Sequence, residues 1–374
     1  MRWAIIGTRG IPARYGGFET AVEETAVRLA ARGHTVRVYG RRHFMPDEPS
    51  EYHGVKLVWL PAWPHNHLET VVHASLSILH VLLRRVDFVH IYSLGSAPLV
   101  PLLRLMGIPV VVSVDGIEAR RRSFGVLGRF WMRLSEYMAT HLASAVIVYN
   151  PVVETYWRGD HSPRRLRMIH YGADVHGEEE AGPLPIEGLE RGRFILFVGR
   201  FVPEKQIELL IEGYRRAGLD WPLVLVGGNP RAPEYVESLK RMAGDGVRFY
   251  PALYGAPIRD LLSGCGIFAQ CSELEGTSPA ILQAMGCGCA VVVNGIEENC
   301  YTVGEAGVLF NHNDPEDLAR VLRELAGDEA RRRSLGQQAR ERVRTRFDWD
   351  SVTDELETLA WELSPRKKGS THGT

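Results

Sequence analysis

Short, unbroken runs of β-branched and aliphatic residues alternate with amphipathic helical stretches along this chain, and the alternation runs its course twice. In the first half, residues 4–6, 36–39, 55–59, 88–92, 110–114 and 145–149 read as strands. Between the first two lies 18–31, where Phe18, Val22, Ala26 and Leu29 recur at helical spacing and Gly33 can end the helix. Runs without polar alternation belong to strands covered on both faces, and therefore to a parallel sheet flanked by helices. From His176 to Gly192 the apolar period is lost among Glu178-Glu179-Glu180, glycines and prolines. The pattern then restarts with strands at 194–198, 223–226, 247–250, 267–270, 290–293 and 308–310, with helices such as 207–216 between them. The expected organisation is an N-terminal Rossmann-like domain over 1–177, a linker over 178–192 and a second Rossmann-like domain over 193–349. A helix near 350–363 is expected to pack back on the first domain, ahead of a disordered tail at 364–374.

Length agrees with this division, because 374 residues exceed what a single core comfortably serves. The formal net charge of -1 leaves no global field for nucleic acid or an acidic partner. Cys265, Cys271, Cys287, Cys289 and Cys300 form an odd set without zinc-ligand spacing, as expected in a reducing, cytoplasmic compartment. The chain opens directly on a buried strand, which leaves no room for a signal peptide, and no apolar run approaches the roughly 20 residues of a spanning helix.

Polar and glycine-rich residues collect just after the strands, where ligands bind in α/β sheets. The first such loop, Gly7-Thr8-Arg9-Gly10-Ile11-Pro12-Ala13-Arg14-Tyr15-Gly16-Gly17, leads into a helix. Glycines let backbone N–H groups approach an anion, and the helix start adds roughly 0.3–1 kcal/mol. The loop lacks GxGxxG, and Gly40-Arg41-Arg42 stands where an NAD site has an acidic residue, so NAD is disfavoured while paired arginines leave NADP open. In the second half, Arg200 and Lys205 share one strand-to-helix turn and can clamp a diphosphate. The alternative is solvated charge, with Lys205 paired to Glu204. Glu273-Leu274-Glu275-Gly276-Thr277-Ser278-Pro279 then builds a second helix start, with Thr277 or Ser278 as cap and Pro279 at the first helical position. Glu275 can accept bonds from sugar hydroxyls, and Gln283 lies two turns along.

With these residues in view, the chain resembles glycosyltransferase family 4, the retaining enzymes of GT-B fold. The marks are Gly16-Gly17, Gly199-Arg200 with Lys205, and Glu275-Gly276 with Leu282-Gln283-Ala284-Met285 and Gly288. The glycine loop through Thr20, together with Asp115-Gly116-Ile117-Glu118, looks more narrowly like bacterial rhamnosyltransferases that build surface polysaccharide on a lipid carrier. The resemblance implies two Rossmann-like domains facing across a cleft and a nucleotide diphosphate sugar as donor substrate, with neither cofactor nor metal. By it, Gly16, Gly17, Arg200, Lys205, Gly276, Thr277, Ser278 and Gln283 hold the donor. Glu275 touches the transferred sugar, and Asp115 orients the sugar or the acceptor hydroxyl, or merely caps its own turn. A glycan or lipid-linked sugar is the implied acceptor. Two positions depart from the family: Gln283 stands where Glu is usual, and Asp115 where many members carry His.

Other polar clusters in the chain have simpler readings. Asp348-Trp349-Asp350 imitates a metal motif but precedes a helix that an Asp would cap, and His65-Asn66-His67 lacks an acidic or thiol partner. From Ile117 to Leu134, arginines at 120, 121, 122, 129 and 133 mix with Phe124, Phe130 and Trp131, a composition suited to an anionic membrane surface or to an ordinary amphipathic helix. Two other functions fit the fold: a sugar-nucleotide epimerase without NAD, and a nucleotide-sugar-binding protein without turnover.

Overall fold

A computed structural model of the chain describes residues 1–14, 16–63, 68–116, 125–161, 163, 165–230 and 232–364. The chain divides into two compact units, Met1–His170 with Trp349–Thr374, and Tyr171–Asp348.

The first unit is built on strands β1 (Arg2–Ile6), β2 (Thr35–Arg41), β3 (Glu51–Tyr52), β4 (Val55–Leu60), β5 (Phe88–Ile91), β6 (Val110–Val114), β7 (Ala145–Val148) and β8 (Leu166–Met168). They form one sheet in the order β3-β4-β2-β1-β5-β6-β7-β8, parallel except for the short β3–β4 pairing. Helices α1 (Gly17–Ala31), α2 (Leu68–Leu82), α3 (Val100–Leu105), α4 (Val126–Leu142) and α5 (Pro151–Tyr156) connect the strands. The order turns at β1, with β2 on one side and β5 on the other, and at such a reversal the strand ends open a crevice. Trp3 is fully buried there against Phe88, ring centroids 4.5 Å apart.

The second unit follows the same plan with β9 (Ile195–Arg200), α6 (Ile207–Ala217), β10 (Leu223–Gly228), α7 (Pro233–Met242), β11 (Val247–Tyr250), α8 (Ala256–Gly264), β12 (Ile267–Gln270), α9 (Pro279–Gly286), β13 (Val291–Asn294), α10 (Glu297–Val303), β14 (Val308–Phe310), α11 (Pro315–Gly327) and α12 (Glu329–Arg346). Its sheet is wholly parallel in the order β11-β10-β9-β12-β13-β14, with the reversal between β9 and β12. Every strand expected from the apolar pattern forms, within two residues of its expected ends. The pattern missed β3 and β8, which are short and lie at the sheet edges.

The division differs from the sequence reading at its seam. Residues 171–177 belong to the second unit, where Ala173 N donates to Phe347 O at 2.8 Å and His176 N to Gly286 O at 3.0 Å. The stretch read as a linker is likewise fastened to that unit. Gly182 N donates to Asp260 Oδ1 at 3.1 Å, Ile186 is buried, and Gly192 N donates to Gly264 O at 2.8 Å. These ties are mostly backbone bonds, which leave no mark in an apolar period.

The last helix, Trp349–Leu363, is part of the first unit and lies on α1. Trp349, Val352, Leu356, Leu359 and Ala360 are buried. Arg32 reaches Asp354 at 2.6 Å and Glu357 at 3.2 Å, and His34 Nε2 lies 2.9 Å from Glu357 Oε1. Asp350 faces Arg28 and Arg32 at 3.4 and 3.6 Å, so the acidic pair flanking Trp349 gives this carboxylate to helix packing. The tail beyond residue 364, His65-Asn66-His67 and residues 117–124 lie outside the described residues.

Two buried histidines make this unit acid-sensitive. His73, with Nε2 3.0 Å from the Gly40 carbonyl oxygen, is pushed down to about 4 by burial, with Arg41 adding to the effect. Burial pushes His90 down to about 3. Unfolded histidine takes a proton near pH 6.5. The stabilisation is therefore complete above that pH and is lost as pH falls toward 4 and then 3, at up to about 1.4 kcal/mol per pH unit for each group. Urea midpoints measured from pH 7 to 4 are expected to fall, and His73→Gln, whose amide can still donate to Gly40, to flatten part of the slope. An unchanged slope in that variant would assign the acid loss elsewhere.

Candidate functional site

In the second unit, β9 delivers an exposed Arg200 at its carboxyl end, in register with Gly228 of β10. Phe201 N then donates to Gly228 O at 3.1 Å, turning the chain over the neighbouring strand. A single 3-10 turn, Pro203–Lys205, follows and stops at Gln206, whose φ of 47° is left-handed. That conformation costs a non-glycine residue roughly 1 kcal/mol or more, so something must hold it. Gln206 Nε2 donates to Glu273 Oε2 at 2.9 Å and Glu273 N to Glu204 O at 3.0 Å. The Lys205 turn is thus pinned to the loop that carries Glu275.

The Lys205 ammonium meets the Glu275 carboxylate directly, both side chains less than one-fifth exposed. Lys205 therefore pairs with Glu275 and not with Glu204. From below, the last residue of β12, Gln270, places Nε2 2.6 Å from Glu275 Oε1, 3.1 Å from Ser272 Oγ and 3.0 Å from Ser278 Oγ. Ser278 stands at the cap position of α9, yet its hydroxyl makes no capping bond and turns inward to Gln270. The cap expected from the sequence is displaced because a fully buried amide competes for the hydroxyl. With Pro279 at the first position, the start of α9 keeps its following N–H groups for another acceptor.

Thr277 is buried beside Ser278, and Gly276 links it to Glu275. Gln283 is half-buried in the second turn of α9, and among the described residues its side chain makes no hydrogen bond. Asn294, at the end of β13, is fully buried and donates to the carbonyls of Cys271 and Ser272 at 3.3 and 3.2 Å. Gln270 and Asn294 escaped sequence reasoning. Their one signal was a polar residue closing an apolar strand.

In the first unit, the loop after β1 bends through Gly7 (φ 97°) and Gly10 (φ 116°). A Cβ on Gly10 would lie 2.6 Å from the Trp59 ring, so the loop sits flat on that indole. Arg9 N donates to Glu19 Oε1 at 3.0 Å, and Ala13 N donates to Glu23 Oε2. Acids of α1 therefore already serve part of the loop. Gly16 is extended and Gly17 opens α1 without a side-chain cap, but a Cβ on Gly16 would stand 3.3 Å from Glu19 Oε2. A phosphate at Gly16-Gly17 would meet that carboxylate, so this helix start offers an anion less than the sequence implied.

Asp115 follows β6, half-buried. Beneath that strand end lies a polar network the sequence did not announce. Tyr149 Oη donates to Ser113 Oγ at 2.7 Å, His90 Nε2 lies 2.7 Å from the same hydroxyl, and the His90 and Tyr92 rings are 4.0 Å apart. Burial first, then Tyr92 and Asp115, pushes the Tyr149 phenol well above its ordinary value. Among the described residues, no group of three or more His, Cys, Asp or Glu side chains could hold a metal, and no helix is long and apolar enough to cross a membrane.

Residues 16–172 match the family described as glycosyl transferase 4-like domain, and residues 185–342 match glycosyl transferases group 1. Over 329 residues, 80% of this chain and 90% of the relative, the chain is 26% identical to the uncharacterized glycosyltransferase YqgM of Bacillus subtilis. A sucrose-phosphate synthase from Thermosynechococcus elongatus shares the fold, with a TM-score of 0.81 at 22% identity over 97% of this chain and 98% of that one. HepE from Anabaena, crystallised with UDP and glucose, shares it with a TM-score of 0.78 at 16% identity over 97% and 99%.

Proposed function

The chain is a glycosyltransferase of GT-B type, a 4-like domain followed by a group 1 domain, and from this we propose that it moves a hexose or deoxyhexose such as rhamnose from a nucleoside diphosphate donor, with retention and without metal, to a glycan or lipid-linked sugar in surface polysaccharide synthesis. The observation that carries the reading is the meeting of Lys205 and Glu275 beside the uncapped start of α9. A cation, a carboxylate and free backbone N–H groups converge there, as a charged leaving group joined to a hydroxyl-rich ring requires. The UDP held by HepE is consistent with such a donor.

In the reaction, the bond from the sugar's anomeric carbon to the diphosphate oxygen breaks as the acceptor oxygen bonds to that carbon on the same face. The acceptor's proton passes to the departing phosphate oxygen. Arg200 by its fork, Lys205 as a point charge and the α9 amides stabilise the charge that develops on the diphosphate. Gly276 lets the donor approach α9 closely, while Thr277 and Ser278 shape its start. Glu275 accepts a bond from a hydroxyl of the transferred sugar, Gln283 one from the ribose as a neutral partner, and Asp115 orients the acceptor hydroxyl. Gly16 and Gly17 offer the donor backbone N–H groups but little charge stabilisation, given Glu19. No covalent nucleophile is needed.

Incubation with UDP-, GDP- and dTDP-sugars plus membrane lipid tests the reading. Transfer supports it, a free epimer would favour the epimerase alternative, and nucleotide binding without turnover a non-catalytic protein.

The acceptor reading includes docking on an anionic membrane surface at the periphery of the cytoplasmic face. Leu102, Leu105 and Met106 at the end of α3 and Val126, Leu127, Phe130 and Tyr137 on α4 are exposed. The charged residues exposed on these two helices are Arg104, Arg129 and Arg133, while Glu136 is buried. Apolar side chains among exposed arginines suit anionic lipid, at about 1 kcal/mol per Lys or Arg near the surface. Arg129→Glu with Arg133→Glu is expected to lower binding to vesicles containing phosphatidylserine by at least about 10-fold. Unchanged sedimentation with those vesicles would remove the membrane from the proposal.

A further inference from the structure

We propose that Gln270 is a positioning residue for the transfer step, fixing which oxygen of Glu275 faces the substrate. The inference rests on the donor-site reading above and concerns a residue that none of the sequence signals singled out.

Gln270 is fully buried, and its one NH2 group, with two hydrogens, lies within bonding distance of three acceptors: Glu275 Oε1, Ser272 Oγ and Ser278 Oγ. The shortest of these, 2.6 Å, goes to the ionised partner. Glu275 Oε1 takes both this amide and the Lys205 ammonium, while among the described residues Oε2 has no partner. The carboxylate is thus tethered by one oxygen and presents the other. A diphosphate that draws Lys205 away removes one tether. Gln270 then remains to hold Oε1, and Oε2 stays aimed at a hydroxyl donor. Ser278 Oγ lies 3.0 Å from Gln270 Nε2 and 3.3 Å from its Oε1, and the acceptor-only carboxylate of Glu275 sets which end of the amide faces it.

Among the described residues, few charged groups lie on the elements that carry and pin the Glu275 loop. Lys205 faces it from the 3-10 turn, Glu273 of its own loop is engaged by Gln206, Glu204 sits on the turn, and Arg200 ends β9. A second carboxylate at position 270 would therefore act on Glu275 above all. Two carboxylates this close repel, so one of them takes up a proton above the ordinary carboxylate range, and the bond to Oε1 is restored as pH falls into that range.

The experiment compares wild type, Gln270→Leu and Gln270→Glu. It measures UDP, GDP and dTDP binding by calorimetry, and nucleoside diphosphate release from the corresponding sugars between about pH 5 and 8. Gln270→Leu is expected to lose about 10-fold in kcat, with nucleotide affinity held within about 5-fold. Gln270→Glu is expected to lose as much at the alkaline end and to recover toward the acid end, where wild type gains nothing. If the leucine variant fails to fold, the isosteric glutamate variant decides the matter. A wild type that binds and turns over a donor, with variants keeping its kcat and pH profile, overturns the proposal alone. A wild type that binds none of the three nucleotides overturns the donor site and this proposal with it.

Discussion

Lys205→Ala is expected to lower kcat/KM for the nucleotide sugar by about 10²–10³-fold and to weaken nucleoside diphosphate binding by about 10²-fold. Losing a charge-assisted contact to the diphosphate costs about 1.5–3 kcal/mol. The variant also leaves Glu275, 11% exposed, with Gln270 as its remaining partner and its charge turned against the incoming phosphate. Glu275→Gln separates the two roles. The amide keeps the shape, frees Lys205 for the diphosphate, and is expected to leave nucleotide affinity equal or slightly tighter while kcat drops by about 10²-fold. Calorimetry with the nucleoside diphosphate beside initial rates reads both numbers. If both variants lose affinity alike and kcat survives, Glu275 belongs to donor binding and the proposed division of labour fails.

Gly227→Ala is expected to destabilise the second unit by at least about 3 kcal/mol, a large share of the roughly 5–15 kcal/mol that holds a domain folded. Gly227 sits at φ 149° and pairs in register with Gly199. A Cβ would fall 1.8 Å from the Gly199 carbonyl oxygen and 3.2 Å from the Phe201 ring. Neither can yield cheaply, since the first is backbone in a central strand pair and Phe201 lies in the hydrophobic core. Relief by parting β9 from β10 would swing Arg200 and the Lys205 turn away, so surviving protein should bind nucleotide poorly. Chemical denaturation followed by circular dichroism measures the loss. A Gly228→Ala control, whose Cβ meets nothing within 4 Å, should lose less stability, its φ of 157° supplying backbone strain alone.

How far these sites could be read beforehand depended on the kind of interaction. Strands such as those expected at 110–114 and 290–293 announce themselves, because burial on both faces demands continuous apolar residues. Lys205 and Glu275 were each visible as candidates from motif and position. Their pairing was not, because 70 residues separate them and Glu204 offered a nearer carboxylate. The Ser278 cap failed for a related reason. Local grammar favours capping, and only the fold brings Gln270 close enough to compete. Glu19 was read as part of a motif, while its carboxylate under the glycine loop, which weakens that loop as an anion site, depends on how α1 leaves the turn. Tyr149, Ser113 and His90 lie at three separate strands, and no spacing rule joins them.

The helix at residues 349–363 makes the first unit discontinuous in sequence. The second unit is a single continuous stretch of sequence, Tyr171–Asp348. The first unit is split around it, and the α1 surface around Arg28, Arg32 and His34 takes its covering helix from beyond residue 348. The two flanks of the first unit are thus joined through the whole of the second, and the contact that closes them is among the longest-range in the chain.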